Sequence, residues 1–405
     1  MMEKSKQKKT KKWPQYVFYT ILRPFVFLYV TLFQHVRFKR NKKKVPKGPV
    51  LFISNHLSNW DGIYANVMFM TRVIHFIVHD EMFKNKFLAF VSGTLLGEVK
   101  RGVSDSDISD ILMMKKLVKE GQSIGVYPEG DIDMFGRTLP VDISIAKFVK
   151  MMKVPVVVLR INGAGVRASR WSKYAHHNKI VYSIQEVLTK EQVQEMDLET
   201  LHKIITNGIK VDDFKYHVEN KNKQRIGFAR AEWLELGLYM CPKCHKLEVL
   251  SSKGDTVYCT NCDFKAKYHR DCSLRNENNF SSSLTKLDDW QYDELKRLID
   301  NHKSDELILE AKDLELQHTK EVDYFKNNYQ KTYLKIYKNH IEFLFNGEVI
   351  NVDIKNIKSV MLQYKDVLEV RFLKEKIRFS TKKRKWSAYL YWKALMYLKS
   401  IQENV

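Results

Sequence analysis

VPKGPVLFISNHLSNWDGIYANVMFM, residues Val45 to Met70, changes character twice along its length. A Pro/Gly turn leads into an apolar run of strand length, and the run gives way to apolar residues at helical spacing. This predicts a strand followed directly by a helix. His56 and Asp61 fall at that junction, in NHLSNWD, where side chains from a strand end and a helix start can project into a common cleft. An imidazole near neutral pH can take a proton from an alcohol, and a carboxylate on its other ring nitrogen fixes the tautomer and stabilises the imidazolium that forms. Alone, the pair is also what a helix-capping Asp beside a hydrogen-bonded His would look like.

Strand-like runs recur at 73–80 (VIHFIVHD), 123–130 (SIGVYPEG) and 154–163 (VPVVVLRING), alternating with helical stretches such as 107–121. Strands alternating with helices define an α/β domain, expected over 45–215 and ending where Lys- and Asn-rich sequence begins. Three further blocks accompany NHLSNWD in order: Arg101 in LGEVKRG, YPEG at 127–130, and VPVVV at 154–158. In these four blocks and their spacing, residues 45–215 resemble the glycerolipid acyltransferase superfamily, typified by 1-acyl-glycerol-3-phosphate acyltransferases. The resemblance implies that His56 is the general base, that Asp61 orients it, and that Arg101 binds an acceptor phosphate. It also implies that Glu129 and Gly130 shape and bind the acceptor site, that Pro155 packs behind it, and that the acyl group passes directly from a thioester without an acyl-enzyme. The residues agree, since no Ser or Cys is visibly paired with a base as a covalent route requires. There is one departure. Family members commonly read F-P-E-G-T-R, whereas this chain reads YPEGDID, so Asp131 and Ile132 stand at the Thr and Arg positions. Arg137 is the candidate substitute for the missing cation, and Asp131 would repel a phosphate.

His75 and His79 are read as structural. Four residues along a strand span ~13 Å, too far for a shared ion, and the helical zinc pattern with Glu after the first His is absent.

The charge is concentrated at the start. Fourteen of the 69 Lys and Arg lie in residues 1–47 against the single acid Glu3, more than half of the net +22. Between two basic runs lies YVFYTILRPFVFLYVTLF, Tyr16 to Phe33, near the ~20 residues of a membrane span but split by Arg23 and Pro24. Two short interfacial helices are predicted, with Arg23 snorkelling to headgroups. A cleaved signal peptide would need a small-residue cleavage site, and a core helix would leave the basic clusters unexplained. Residues 1–44 are therefore read as a monotopic anchor on anionic lipid at the cytoplasmic face of the cell membrane, which argues against nucleic acid as partner. With 405 residues, 44% hydrophobic and 29% charged, and a mean hydropathy of −0.39, the chain is not a polytopic membrane protein, and it is long enough for two or three domains.

Cys241 and Cys244 in CPKC, then Cys259 and Cys262 in CTNC, give two C-x-x-C pairs 14 residues apart. Four thiolates at that spacing can close a tetrahedron around Zn²⁺, the pattern of a zinc ribbon, and a closed shell of four cysteines is structural. A ribbon is expected over 239–270 between a linker (216–238) and a charged helical linker (271–327). Cys272 is left as an incidental thiol. Residues 328–405 alternate in short runs, TYLKIY, HIEFLF, EVINVDI, SVMLQY, LEVRF and KIRFS, before an amphipathic helix from Lys385 to Ile401. In that order they resemble an α+β pleckstrin-homology-like domain, the helix packing its aromatic face on the sheet and Lys382–Lys385 forming a solvated turn.

The whole is expected to be a membrane-associated enzyme moving a fatty acyl group from acyl-carrier protein or acyl-CoA to a lysophospholipid hydroxyl, with 1-acyl-glycerol-3-phosphate the leading acceptor. The alternatives are another lipid-like or membrane-associated acceptor, or a membrane-tethered zinc-ribbon binding protein with an inactive acyltransferase domain.

Overall fold

The computed structural model describes residues 21–78, 99–100, 107–222, 224, 227–320, 325, 328–382 and 386–403. Within the apolar stretch, α1 (Arg23–Leu32) carries Pro24 in its first turn and runs on from Ile21 and Leu22, which are themselves helical. Arg23 departs from expectation. It is 1% exposed and, instead of snorkelling outward, donates to the carbonyls of Phe69 (2.5 Å), Arg72 (2.9 Å) and Met70 (3.2 Å). Three carbonyls of one turn solvate the guanidinium more fully than a distant headgroup would. No helix among the described residues is long and apolar enough to cross a membrane.

The first sheet is built from β1 (Val36–Lys39), β2 (Leu51–Ser54), β3 (Ile74–Val78), β4 (Val99–Lys100), β5 (Ser123–Val126), β6 (Val156–Asn162) and β7 (Ile180–Leu188). Their order is β1-β7-β6-β2-β5-β3-β4, parallel throughout except that β7 runs against β6. Helix α2 (Asp61–Met68) follows β2, α3 (Asp107–Lys119) precedes β5, α4 (Ser144–Met152) precedes β6, and α5 (Ala164–Arg167) follows it. Three helices follow β7: α6 (Lys190–Glu195), α7 (Leu198–Ile209) and α8 (Asp213–Glu219). Alternate residues of the central strands feed two cores. Phe52, Val157, Leu159 and Ile161 pack with Tyr64, Ala65 and Met68 of α2, while Leu51, Ile53, Val156 and Val158 pack with α4 and α7. Burial on both faces explains why these strands read as unbroken apolar runs. The sheet also reaches into the segment expected to be anchor, since β1 pairs with β7 from Val36. Part of the second basic run is spent inside the fold: Arg40 donates to the Met68 carbonyl (2.8 Å) and Lys43 pairs with Glu186 (2.8 Å).

A five-stranded antiparallel meander follows, β8 (Leu250–Lys253), β9 (Thr256–Cys259), β10 (Lys265–Tyr268), β11 (Ser273–Arg275) and β12 (Ser281–Ser283), leading into α9 (Leu284–Asn301). The charged stretch after it was expected to be helical, but its second half is strand β13 (Leu309–Lys320), at the centre of a third sheet. That sheet has the order β16-β15-β14-β13-β19-β18-β17 and is antiparallel at every pairing. Its other strands are β14 (Gln330–Ile336), β15 (His340–Phe345), β16 (Glu348–Asp353), β17 (Ile357–Gln363), β18 (Val367–Phe372) and β19 (Glu375–Ser380), and helix α10 (Ala388–Glu403) ends it. As expected, the apolar face of α10 packs on the sheet: Tyr389, Leu390, Leu395 and Leu398 are buried, and Trp392 Nε1 donates to the Val360 carbonyl (3.2 Å). One continuous core joins Met134, Phe135, Trp171 and Phe214 of the first domain to the meander and to the third sheet.

Candidate active site

His56 lies two residues past the carboxyl end of β2, at the edge of the sheet where β5 also ends, since Ile53 pairs with Val126. Crevices at the carboxyl ends of parallel strands are where open α/β sheets hold ligands. Asn55 carries the main chain over that edge. Its buried amide donates to the Ile161 carbonyl (2.9 Å) and accepts from Ile161 N–H (2.8 Å), which extends the β2–β6 pairing through a side chain.

The imidazole is fixed on three sides. Nδ1 of His56 lies 3.0 Å from Asp61 Oδ2, and with a carboxylate there the proton sits on Nδ1, leaving Nε2 to accept one. The ring stacks on Tyr127, centroids 4.3 Å apart at 13°, and Tyr127 stacks on Phe76 at 4.9 Å and 12°. Gly125 makes room for this stack, for a Cβ there would lie 2.3 Å from the Phe76 ring. Beneath, the His56 backbone N–H donates to Glu129 Oε1 (2.8 Å).

Asp61 is fully buried at the first turn of α2 and is saturated by its neighbours. Oδ2 accepts from the N–H groups of Leu57 (2.6 Å) and Ser58 (2.9 Å), and Oδ1 from the Ser58 hydroxyl (2.6 Å). The carboxylate that orients the imidazole is thereby itself oriented. Glu129 is bonded internally on both oxygens, since its second one accepts from Leu139 N–H (2.7 Å). Burial drives its carboxyl up to about 8 against the pull of those two N–H donors. Its two oxygens thus hold the main chain at His56 and at Leu139. Gly130 holds φ +71° in the turn that follows, with open space where a side chain would stand.

Arg101 lies outside the described residues, as does His79; His75 is largely buried and 3.3 Å from Gln122 Oε1. Pro155 stands before β6, at the end of the strands opposite His56, where its carbonyl accepts from Leu51 N–H (3.0 Å) and braces the sheet instead of the site. Arg137 is tied into ion pairs. Its guanidinium is engaged by Asp288 and Asp289 of α9, with Asp133 at 3.9 Å, so three carboxylates already occupy the cation proposed for phosphate. Burial would lower its pKa, but the three carboxylates raise it overall. Asp131, feared as a repulsive charge, is paired with Arg170 at 2.9 Å. Asn55, Tyr127 and Arg170 are the site residues that sequence reading missed; Asn55 and Tyr127 were inside quoted motifs, but their partners are remote in the chain.

The four predicted ligand cysteines converge, with Cys241 and Cys262 sulfurs 3.7 Å apart, Cys244 and Cys259 3.8 Å, and all four within 4.8 Å of one another. They can hold a metal ion. Sulfurs ~2.3 Å from one tetrahedral zinc would stand about 3.8 Å apart, so the donor set fits that ion. Asn261 N–H reaches Cys259 Sγ (3.3 Å), and the backbone N–H of Lys246 draws the Cys244 thiol down to about 6. Cys272 is set apart, buried and pushed up to about 12 by that burial.

Residues 35–162 match the family model described as Acyltransferase. The first domain, from β1 to the end of β6, thus matches an acyltransferase domain. No curated protein matches the chain. Among solved structures it is similar to the 1-acyl-sn-glycerophosphate (LPA) acyltransferase PlsC of Thermotoga maritima, at 18% identity over 49% of this chain and 81% of that one, with a TM-score of 0.37. It is also similar to the N-terminal PH domain of human ARAP2, at 16% identity over 25% and 86% of the two chains and a TM-score of 0.20. A third likeness is to Inner Membrane Complex Sub-compartment Protein 3 of Toxoplasma gondii, at 17% identity over 27% and 86%, with a TM-score of 0.20.

Proposed function

We propose that the protein transfers a fatty acyl group from an acyl-carrier-protein or coenzyme A thioester to the hydroxyl of a lysophospholipid, 1-acyl-glycerol-3-phosphate being the leading acceptor. The observation that carries the reading is the His56–Asp61 pair, 3.0 Å apart, with Nε2 left to act. Nε2 takes the acceptor's hydroxyl proton as the oxygen attacks the thioester carbonyl, and Asp61 stabilises the imidazolium. The tetrahedral intermediate collapses with loss of the thiolate, and the proton passes from His56 to that sulfur, so the base is restored and no acyl-enzyme forms. Arg101, in LGEVKRG, is assigned to the acceptor phosphate by a planar fork of donors.

The enzyme works at an anionic membrane surface on the cytoplasmic side. Helix α1 supports this, for Phe25 (66% exposed), Leu28, Tyr29, Leu32 (62%) and Phe33 present an apolar surface beside a lysine-rich segment. Cys241, Cys244, Cys259 and Cys262 hold a structural zinc, and the last sheet and helix form a pleckstrin-homology-like module.

Purified protein, thioester donors and a panel of lyso-lipids, read by mass spectrometry of lipids that gain an acyl chain, test the activity. The phosphate assignment is tested by kcat/KM for phosphorylated and dephosphorylated acceptors in wild type and Arg101→Ala: a preference for phosphate that the mutation erases supports it, and a wild-type preference for the unphosphorylated lipid overturns it.

A further inference from the structure

Glu129 and Leu139 bound a loop whose two ends meet at one carboxylate, Glu129 accepting from His56 N–H with one oxygen and from Leu139 N–H with the other. Inside the loop, Asp133 Oδ1 accepts from the N–H groups of Phe135 (2.9 Å) and Arg137 (3.0 Å). The loop is then gripped from outside by the C-terminal half of the chain, at two points. At the first, Arg137 engages Asp288 and Asp289 of α9; Asp288, fully buried, also accepts from Tyr389 of α10 (3.1 Å) and from Gln291 (3.0 Å), with Lys393 at 3.9 Å. At the second, Arg170 donates to the Ile132 carbonyl and, on its other side, to the carbonyls of Leu362 and Tyr364 at the end of β17. Between these points Phe135 is sunk in the shared core, edge-on to Tyr389 at 6.1 Å, and a Cβ on Gly237 would come within 2.9 Å of it.

We propose that Asp288 and Arg170 are positioning residues for the catalytic base: the C-terminal half clamps the Glu129–Leu139 loop, and Glu129 passes that constraint to the main chain of His56. The clamp stands where the family pattern would place its Thr and Arg. A chain that has Asp131 and Ile132 there ties the loop to its accessory domains instead. A buried carboxylate shared by an Arg, a Tyr hydroxyl and a Gln amide has one arrangement that satisfies all of them, and this makes it a rigid joint rather than a loose contact. The catalytic part of the proposal rests on the acyl-transfer reading above; the mechanical part does not.

The test is hydrogen exchange by mass spectrometry on the full chain, alongside acyl-transfer kinetics, for wild type, Asp288→Asn, Arg170→Gln and the control Asp293→Asn on the exposed side of the same helix. Loss of a charge-assisted bond should speed exchange in peptides covering 54–58 and 129–139 by about 10- to 100-fold in Asp288→Asn. Turnover should fall with the donor KM unchanged, and Asp293→Asn should behave as wild type in both readouts. Faster exchange confined to α9 and α10, with 54–58 as protected as in wild type, would overturn the clamp. Arg170→Gln reads the second grip independently, so a poorly folded Asp288→Asn protein does not end the test. Should wild type transfer no acyl group, the functional reading falls, and the exchange pattern still decides the clamp.

Discussion

Asp61 and His56 differ in what their removal should do, because one is a hub of bonds and the other a terminus. The His56 ring is held but holds little, so His56→Ala should keep the melting temperature near wild type while the rate falls by ~10²- to 10⁴-fold, the range of general base catalysis. Asp61→Asn leaves one accepting oxygen where the carboxylate's two now take N–H and O–H donors, and should lower stability by about 1–3 kcal/mol as well as rate. Initial rates beside thermal unfolding of both variants separate the two. Glu129 adds a pH signature. Its carboxyl is driven to about 8 from an ordinary 4.5, so between those values the folded chain keeps a proton that the unfolded chain releases. Stability from this group is therefore present at low pH and is lost as pH rises toward 8. Asp213 and Glu248, each raised to about 7 by burial, act in the same direction. Urea midpoints at pH 5 and pH 9 should drop with pH in wild type and drop less in Glu129→Gln. The His56–Asp61 pair was legible because the two stand five positions apart. Glu129 was legible as a motif residue, but its bond to His56 was not, since it spans 73 positions.

Strand β13 shows how an element hides. Its buried apolar residues, Leu309, Ala311, Leu314 and Leu316, alternate except for one extra residue, where Asp313 takes φ +58° and the pairing with β14 shifts register. That bulge breaks the period of two, and the charges on the outer face then read as helix. Two places away in the same sheet, the strand HIEFLF has no bulge, and its limits were read directly from alternation. The cysteine knuckles were equally plain, because metal spacing is local. Their packing was not. Tyr239, two residues before Cys241, donates its N–H to Gln291 of α9 (3.0 Å), and His245 meets Trp290 edge-on at 5.2 Å. With the meander sharing one core with Phe135 and the third sheet, stripping the metal should lower the melting of the C-terminal half as a unit, not of the ribbon alone. Elemental analysis under reducing conditions should find one zinc per chain. Chelator titration followed by far-UV dichroism and by tryptophan fluorescence should give coincident transitions, and a fluorescence change without loss of melting temperature would count against the shared core.

Across the whole molecule, the apolar surface of α1 and helix α2, which carries Asp61, are neighbours. Arg23 ties the start of α1 to the turn after α2, the Tyr64 hydroxyl of α2 donates to Gln34 (2.5 Å), and Tyr29 meets Trp60, the residue before Asp61, at 6.3 Å. Replacing Phe25 and Leu32 together by Glu should therefore release the protein from anionic vesicles while leaving activity toward a short-chain, water-soluble acceptor near wild type. Co-sedimentation and rate on the soluble acceptor measure the two. Undiminished vesicle binding by the double variant would place the membrane contact elsewhere. If α1 lies in the headgroup layer, as proposed, His56 would stand about one helix diameter, ~10 Å, from it. On that reading an acceptor would not need to be pulled out of the bilayer to be acylated; it would have only to diffuse sideways until its hydroxyl passed beneath the imidazole. The enzyme would then obey surface dilution: adding inert lipid at fixed acceptor should slow it, whereas adding more vesicles of the same composition, once every molecule is bound, should leave the rate where it was.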